Sequence, residues 1–250
     1  MRFFAEPQDI GKSRIKLSAE DSDHIRSLRL RPDEHFIVCD GAGIDYICRL
    51  GAYKDDRIAE IIEKHQSRGE PTIDCSLYIA YAKGERLDYA VQKSVELGTY
   101  EIVLYKSKRC IAVPNNIPKK IQRLQKIALE TAKQCNRGII PKVSSAGEFD
   151  IMLDIAAARA DLALFCYERE EDLHLKSVLE EQFSPNLAGK TTDAKTVSII
   201  TGPEGGFEPV EVELAKSKNF NVISLGKRIL RSETAPVVAL TAVMYQTLNL

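Results

Sequence analysis

From residue 75 onward, short apolar runs typical of buried strands alternate with longer amphipathic stretches typical of helices. The strand-like runs lie at 75–82, 102–105, 162–167, 197–201 and 222–225, and the helical patterns at 87–97, 117–135, 173–183, 209–218 and 234–248. No internal repeat is evident. This alternation predicts an α/β fold in which helices cover a parallel sheet. Ligands of such sheets bind beyond the carboxyl ends of the strands, so the loops after Tyr167, Thr201 and Leu225 are the predicted ligand site.

The first 70 residues have a different pattern, which predicts a small β-rich domain. Strand-like runs at 35–41, 45–53 and 57–64 are separated by a glycine-containing turn at 41–43 and a charged turn at 54–56. The charged stretch 67–71 contains a glycine and a proline and is typical of a linker. We therefore expect two domains, 1–70 and 71–250.

Charge along the chain favours a local nucleic-acid surface. The chain has 35 basic and 36 acidic side chains, a formal net charge of −1, which by itself argues against a polyanionic partner. However, the stretch 106–142 holds ten Lys or Arg and one acid, Glu130, a local net charge of +9, whereas 143–195 has a net charge of −6. Such a basic stretch is typical of phosphate contacts, although a solvated helix surface is the alternative.

Several common functions lack their sequence signatures. The six cysteines occur singly, without C-x-x-C pairs or histidines at zinc-ligand spacing, so we expect no metal. Nucleophile-elbow, Walker and dinucleotide-binding motifs are absent from the sequence. The N-terminus does not resemble a signal peptide, and the longest weakly charged stretch, 235–250, is shorter than the roughly twenty residues of a membrane span. We expect a soluble cytoplasmic protein with no membrane partner.

Two glycine-containing loops are the strongest candidates for chemistry. The loop 201–207 has three glycines, which allow close backbone approach to a ligand. However, Pro203 removes one N–H, and the glycine spacing fits neither the phosphate-cradling nor the dinucleotide-binding motif, so a plain tight turn is the alternative. The loop 225–236 leads into the last helix, which Ser232 or Thr234 can cap. Capping does not explain the cations before that helix, which are unfavourable at a helix N-terminus. Arg231 is therefore a functional candidate.

A third cluster, at 130–141, ends the basic stretch. Gly138 is the predicted stop of the helix. Asn136 and Arg137 either cap the helix carbonyls or read a base edge and hold a phosphate.

These motifs together resemble one family, the bacterial 16S ribosomal RNA uracil-N3-methyltransferases (RsmE) of the SPOUT superfamily of knotted methyltransferases. The resemblance covers nearly the whole chain and is carried by residues 24–29, 92–93, 96–98, 130–137, Pro141, 202–206 and 225–235. The last two motifs are the most specific.

The resemblance implies a PUA-like RNA-binding β-barrel at 1–70 and a methyltransferase domain at 71–250 with a deep C-terminal trefoil knot. It implies a homodimer that uses S-adenosylmethionine to methylate N3 of one uridine, position 1498, in 16S ribosomal RNA, free or in the 30S subunit. The implied cofactor-binding residues are Phe165, Tyr167, Thr201, Gly202, Glu204, Gly205, Gly206, Leu225, Gly226, Ile229, Leu230, Thr234 and Ala235.

We assign roles within this resemblance as hypotheses. Arg137 is the first candidate to stabilise charge on the uracil oxygens, with Asn136 orienting the base, Arg231 assisting or binding phosphate, and Glu204 taking the N3 proton or bonding the donor's ribose. Because residues 1–70 are slightly acidic, with 12 basic and 14 acidic side chains, RNA binding there depends on a local patch. The RNA-binding candidates are Arg26, Arg29, Arg31, Lys83, Lys108, Arg109, Lys133, Asn136 and Arg137. The rival hypotheses are a non-catalytic RNA-binding assembly factor and an α/β enzyme with a small substrate.

Overall fold

The computed structural model describes residues 1–31, 34–50, 57–183 and 194–250. These form two compact units: unit 1 comprises Met1–Glu70 and Leu129–Ile140, and unit 2 comprises Pro71–Ala128 and Pro141–Leu250. The segment Leu129–Ile140, which the proposed division at residue 70 leaves in the second domain, packs with unit 1. The predicted turn at 54–56 and the end of the predicted run 45–53 lie outside the described residues.

Unit 1 is built on a five-stranded sheet and confirms the predicted β-rich N-terminal fold. Its elements are β1 (Arg2–Phe4), a 3-10 turn (Pro7–Asp9), β2 (Arg14–Lys16), α1 (Ala19–Ser27), β3 (His35–Cys39), β4 (Ile44–Leu50) and β5 (Ile58–Gln66). The strand order is β1-β3-β4-β5-β2, antiparallel except for the β1/β3 pair. The Ser18 hydroxyl caps α1 by accepting a hydrogen bond from the Asp21 amide at 3.0 Å.

The core of unit 1 includes a buried ion pair between Arg2 and Asp45. Phe3 and Phe36 meet edge to face in the buried apolar cluster, with ring centroids 5.8 Å apart. Beside the apolar core, both terminal nitrogens of the Arg2 guanidinium donate to the Asp45 carboxylate, at 2.7 and 2.8 Å. Burial raises the pKa of Asp45, but hydrogen bonds from Arg2, Ser67 and Cys39 outweigh it and leave the pKa below its usual value.

Unit 2 confirms the predicted parallel α/β architecture. Its elements are β6 (Asp74–Ala80), α2 (Arg86–Glu96), β7 (Glu101–Lys106), α3 (Ile117–Gln134), β8 (Lys142–Glu148), α4 (Phe149–Arg159), β9 (Leu162–Cys166), α5 (Leu175–Phe183), β10 (Thr196–Thr201), α6 (Pro209–Ser217), β11 (Asn221–Ile223) and α7 (Thr234–Gln246). The six strands are all parallel, in the order β11-β9-β10-β6-β7-β8. The last residues of α3, from Leu129, belong to unit 1. None of the helices in the described ranges is long and apolar enough to span a membrane.

This strand order places the carboxyl ends of β9, β10 and β11 side by side. β9 lies between β11 and β10, so the loops that follow Cys166, Thr201 and Ile223 leave neighbouring positions on one edge of the sheet. The loops after β9 and β11 are also joined by backbone hydrogen bonds, from Tyr167 N to Ile223 O at 2.9 Å and from Ser224 N to Leu173 O at 2.8 Å. The three loops predicted to bind a ligand therefore begin side by side.

Two elements of unit 2 have no counterpart among the predicted runs. β8 is an edge strand of mainly small or polar residues, including Ser144, Ser145 and Gly147, so it has no apolar run to detect. α4 buries Phe149, Met152, Leu153 and Ala156 on one face but is apolar on its other faces as well, which hides a helical period.

Candidate active site

A cavity of about 750 Å³ opens at this edge of the sheet, among the loops after β9, β10 and β11. Ten of the thirteen predicted cofactor-binding residues line it: Tyr167, Gly202, Glu204, Gly205, Gly206, Leu225, Gly226, Ile229, Leu230 and Ala235. Its volume is in the range of small-molecule and cofactor sites. The structure therefore brings most of the predicted residues to one place.

The other three predicted cofactor-binding residues have different surroundings. Phe165 is fully buried and packs on Phe207, with ring centroids 4.2 Å apart. Thr201 is also fully buried, and its carbonyl accepts a hydrogen bond from the Tyr105 hydroxyl at 2.9 Å. Thr234 lines a smaller neighbouring cavity of about 490 Å³. Phe165 and Thr201 are thus buried near the carboxyl ends of β9 and β10, from which two of the loops leave.

The glycines of the loop 202–206 are required by the packing of unit 2 itself. A Cβ atom at Gly205 would lie 2.9 Å from Arg109 Cβ and 3.0 Å from its carbonyl oxygen. At Gly206, φ is +69°, and a Cβ atom would lie 2.3 Å from a Glu168 carboxylate oxygen. A Cβ atom at Gly202 would lie 2.9 Å from a carbon of the Phe207 ring. The Glu168 carboxylate can move away, so the constraint at Gly206 is its positive φ, whereas Gly202 and Gly205 are constrained by close packing that a plain tight turn does not require.

An ion-pair network holds the predicted catalytic residue Glu204. Its Oε1 accepts hydrogen bonds from the Lys83 amide at 2.9 Å and from Arg86 Nη1 at 2.5 Å. Arg86 Nε also lies 3.6 Å from Glu233 Oε2, so one guanidinium ties the loop after β10 to the start of α7. Burial raises the pKa of Glu204, but the hydrogen bonds from Lys83 and Arg86 prevail and lower it. Arg86 is a residue that sequence reasoning missed, because a charged residue at a helix start carries no signal of its own.

The second carboxylate oxygen of Glu204 differs from the first. Oε2 is buried and has no hydrogen-bond partner within the described part of the chain. A buried acceptor without a donor costs about 1–3 kcal/mol, which a hydroxyl or amine donor would recover. The site therefore suits a ligand that presents a donor next to Glu204. Arg231, another predicted catalytic residue, also lines the cavity and has an exposed side chain.

The third predicted catalytic residue, Arg137, lies in unit 1 and is buried. Its Nη2 and Nε donate to Glu70 Oε2 at 2.7 and 3.1 Å, and the other oxygen of Glu70 accepts from the amides of Gly138 and Ile139. Asn136 adopts a left-handed conformation with φ of +63°, and the Arg137 amide donates to the Ala132 carbonyl at 3.1 Å. This is the geometry of a Schellman motif, so α3 ends at Gln134 and its left-handed C′ residue is Asn136, two positions before the predicted stop, Gly138.

Most of the basic stretch 106–142 is neutralised by carboxylates from elsewhere in the chain. Seven of its ten cations have an acidic partner: Lys106, Lys108, Arg109, Lys120, Arg123, Lys133 and Arg137. Asp88, for example, accepts hydrogen bonds from both Lys120 and Arg123. The local charge of +9 along the sequence is therefore much reduced in space.

The remaining predicted RNA-binding side chains lie at exposed positions. Arg26, Arg29 and Arg31 are exposed in unit 1, with Arg26 paired to Asp23 and Arg29 in a left-handed conformation with φ of +52°. Lys83 is exposed in unit 2 and lines the cavity. Among the described residues, no group of His, Cys, Asp or Glu side chains is arranged to hold a metal ion.

Comparison with known proteins agrees with this architecture. Residues 68–244 match the family model of the RNA methyltransferase domain, and residues 17–62 match that of the RNA methyltransferase PUA domain. The chain is 34% identical to ribosomal RNA small subunit methyltransferase E of Mesomycoplasma hyopneumoniae, over 88% of each chain. It is 30% identical to the protein of the same name from Synechocystis, over 97% of this chain and 76% of the relative.

Solved structures show the same similarity. Ribosomal RNA small subunit methyltransferase E from Neisseria gonorrhoeae, bound to S-adenosyl methionine, superposes with a TM-score of 0.77 at 27% identity, over 98% of this chain and 96% of that one. The fold and the matched models define an RNA methyltransferase with an N-terminal PUA domain. Within that class, the chain belongs to the ribosomal RNA small subunit methyltransferase E family.

Proposed function

We propose that this chain transfers the methyl group of S-adenosylmethionine to N3 of one uridine in 16S ribosomal RNA. The observation that carries the proposal is the cavity of about 750 Å³, lined by ten of the residues that the family resemblance assigns to the methyl donor. The small-subunit methyltransferases to which the chain is similar, one of them bound to S-adenosyl methionine, support this choice of donor and substrate.

The donor set of the cavity fits S-adenosylmethionine. The partnerless oxygen of Glu204 suits a ribose hydroxyl, and the apolar side chains of Ile111, Ile229 and Leu230 suit an adenine ring. Backbone groups of the loops 202–206 and 225–230 are available for further hydrogen bonds. When bound, the donor supplies an electrophilic methyl group on a sulfonium and leaves as a neutral thioether, so no acid is needed for the leaving group.

The protein has to position the uracil and remove its N3 proton. As the N3–methyl bond forms and the sulfur–methyl bond breaks, the N3 proton passes to a base, and negative charge develops on the uracil oxygens. Arg231, which lines the cavity, either assists in stabilising that charge or binds phosphate, and Glu204 either accepts the proton or holds the donor. Arg137 remains a candidate for the same electrostatic role, with Asn136 orienting the base. In the structure, however, the guanidinium of Arg137 donates its hydrogen bond to Glu70.

The finer features implied by the resemblance belong to this proposal. They are the domain division at residue 70, the trefoil knot, the cytoplasmic location and the homodimer. Exposed apolar side chains on α7 support the homodimer, because Val238 and Tyr245 lie seven residues apart on one helix face and are 37% and 71% exposed. The 16S ribosomal RNA, free or in the 30S subunit, is the proposed substrate.

The test is transfer of tritiated methyl from S-adenosylmethionine to 16S ribosomal RNA, followed by nucleoside analysis. We expect the label in N3-methyluridine, with free RNA and assembled 30S subunits assayed in parallel. A chain that binds RNA but transfers no methyl would be the non-catalytic assembly factor. A chain that binds the donor but transfers methyl only to a small molecule would be the other rival enzyme.

A further inference from the structure

The cavity carries more positive charge than its own carboxylates can balance. Five basic side chains line it (Lys83, Arg86, Arg169, Arg228 and Arg231), with three acidic ones (Glu168, Glu204 and Glu233). Arg86 forms ion pairs with both Glu204 and Glu233. The excess charge therefore belongs to the other cations of the lining.

Three of those cations are exposed arginines without a carboxylate. Arg169, Arg228 and Arg231 have exposed side chains, and none of them has an ion-pair partner among the residues that the structure describes. In the basic stretch 106–142, by contrast, seven of the ten cations are paired. The cavity lining thus carries positive charge that no ion pair among the described residues compensates.

The fold brings these three arginines to the same cavity. Arg169 follows β9, whereas Arg228 and Arg231 follow β11, the strand paired with β9. The loops are held together by the hydrogen bonds of Tyr167 with Ile223 and of Ser224 with Leu173. The three arginines therefore come from two distant parts of the sequence, on loops that are hydrogen-bonded to each other at the carboxyl ends of β9 and β11.

The methyl donor does not account for this cluster. S-adenosylmethionine carries one carboxylate, one ammonium and one sulfonium, a net charge of +1, so an excess of arginines next to it is electrostatically unfavourable unless a polyanion is also bound. Guanidinium groups bind phosphate oxygens in bidentate geometry and keep their charge at any physiological pH. A nucleic-acid backbone satisfies both requirements.

We propose that Arg169, Arg228 and Arg231 bind the RNA backbone phosphates next to the target uridine and so hold that nucleotide at the cavity. This inference rests on the proposed function, which makes RNA the substrate. It assigns binding roles to Arg169 and Arg228, which no sequence motif singled out for RNA, and selects phosphate binding for Arg231.

The experiment measures the affinity of the full chain for 16S ribosomal RNA transcribed in vitro, as a function of salt. Each phosphate contact contributes about 0.7–0.9 to the slope of log affinity against log salt concentration. We expect Arg169→Gln and Arg228→Gln each to lower the slope by about that amount, and the double variant by about twice as much. Arg123→Gln is the matched control, because it removes an exposed arginine that already pairs with Asp88, and its slope should stay at the wild-type value.

Titration calorimetry with S-adenosylmethionine separates phosphate binding from the alternative, in which an arginine holds the donor's carboxylate. Unchanged donor affinity together with a reduced slope supports the proposal. A loss of donor affinity with an unchanged slope overturns it, as does an unchanged slope in the double variant. Methyl transfer by the wild type tests the proposed function separately, since RNA binding with the expected slopes but no transfer would refute the function and keep the phosphate site.

Discussion

Gly205 shows how a single residue controls the candidate site through packing. The sequence suggested that this glycine lets a ligand approach the backbone, whereas the structure shows Arg109 on the Cβ side. A side chain there must displace the loop 202–206 or the backbone of Arg109, because the contact at 3.0 Å is with a carbonyl oxygen. The loop carries Glu204, so the displacement reaches the cavity.

We therefore expect Gly205→Ala to weaken S-adenosylmethionine binding about tenfold or more, by titration calorimetry. Gly69→Ala is the matched control, because a Cβ atom there would lie 2.9 Å from the Asn136 carbonyl oxygen, a similar crowding within unit 1. The control should lower stability in urea and leave donor affinity unchanged. Equal donor affinities for the two variants would show that Gly205 does not shape the cavity.

Asp45 makes the stability of unit 1 sensitive to acid. The pKa of its carboxyl is lowered in the fold, so its ionised form stabilises the protein above the unfolded pKa of about 3.9. That contribution is lost as the pH falls through the lowered folded value. Asp45→Asn leaves the buried Arg2 uncompensated, which should cost about 3 kcal/mol at neutral pH.

Urea unfolding at several pH values tests this expectation. The wild type should lose stability below about pH 4. The variant should lose less over the same interval, with the remainder arising from other carboxyls of lowered pKa, such as Asp161 and Glu170. An identical loss in both proteins would contradict the role given to Asp45.

At the scale of elements, the end of α3 bears on two residues, Asn136 and Arg137. From the sequence, both could serve either to cap the helix or to recognise RNA. Asn136 has the left-handed conformation of a helix cap, and Glu70 binds the three residues that follow it. Capping is therefore a sufficient structural reason for an asparagine at this position. Whether Asn136 also contacts the base is a separate question that a glycine can answer, since glycine adopts the same conformation.

Asn136→Gly should leave the free energy of unfolding within about 0.5 kcal/mol of the wild type. If Asn136 orients the base, as we hypothesise from the sequence, kcat/KM for 16S ribosomal RNA should fall at least tenfold while donor affinity stays constant. Asn136→Val is the control for capping, because a β-branched residue is strained at this φ and should destabilise by about 1–2 kcal/mol. Full RNA methylation by Asn136→Gly would remove Asn136 from the RNA-binding residues.

At the scale of the whole molecule, the proposed homodimer predicts that α7 is protected by a second copy. Tyr245 is 71% exposed in the single chain, on the same helix face as Val238. We expect Tyr245→Glu to shift the sedimentation velocity from dimer towards monomer, because burying a carboxylate in an apolar interface is unfavourable. Ile151→Glu, at a 51% exposed position of α4, is the control and should remain dimeric. A wild-type monomer at all concentrations would refute the homodimer.

Charge shows the limit of sequence reasoning at this scale. The stretch 106–142 is basic along the chain, but its partners Asp21, Asp88 and Glu208 come from segments that no local pattern connects to it. Conversely, Arg169 is unremarkable in sequence, and it lines the same cavity as Arg228 because β9 and β11 are neighbours. Net charge per segment therefore locates the basic residues, whereas the fold decides which of them stay uncompensated.

The sequence by itself determined the alternation of strands and helices, the β-rich N-terminus and the two glycine-containing loops, because periodicity and turn chemistry are local properties. It also identified most of the cavity lining, since ligand sites follow the carboxyl ends of parallel strands. Only the tertiary structure decided that Phe165 and Thr201 are buried, that Arg86 pairs with both Glu204 and Glu233, and that Glu70 pairs with Arg137. These are contacts between residues distant in sequence, and burial and ion pairing depend on distance in space.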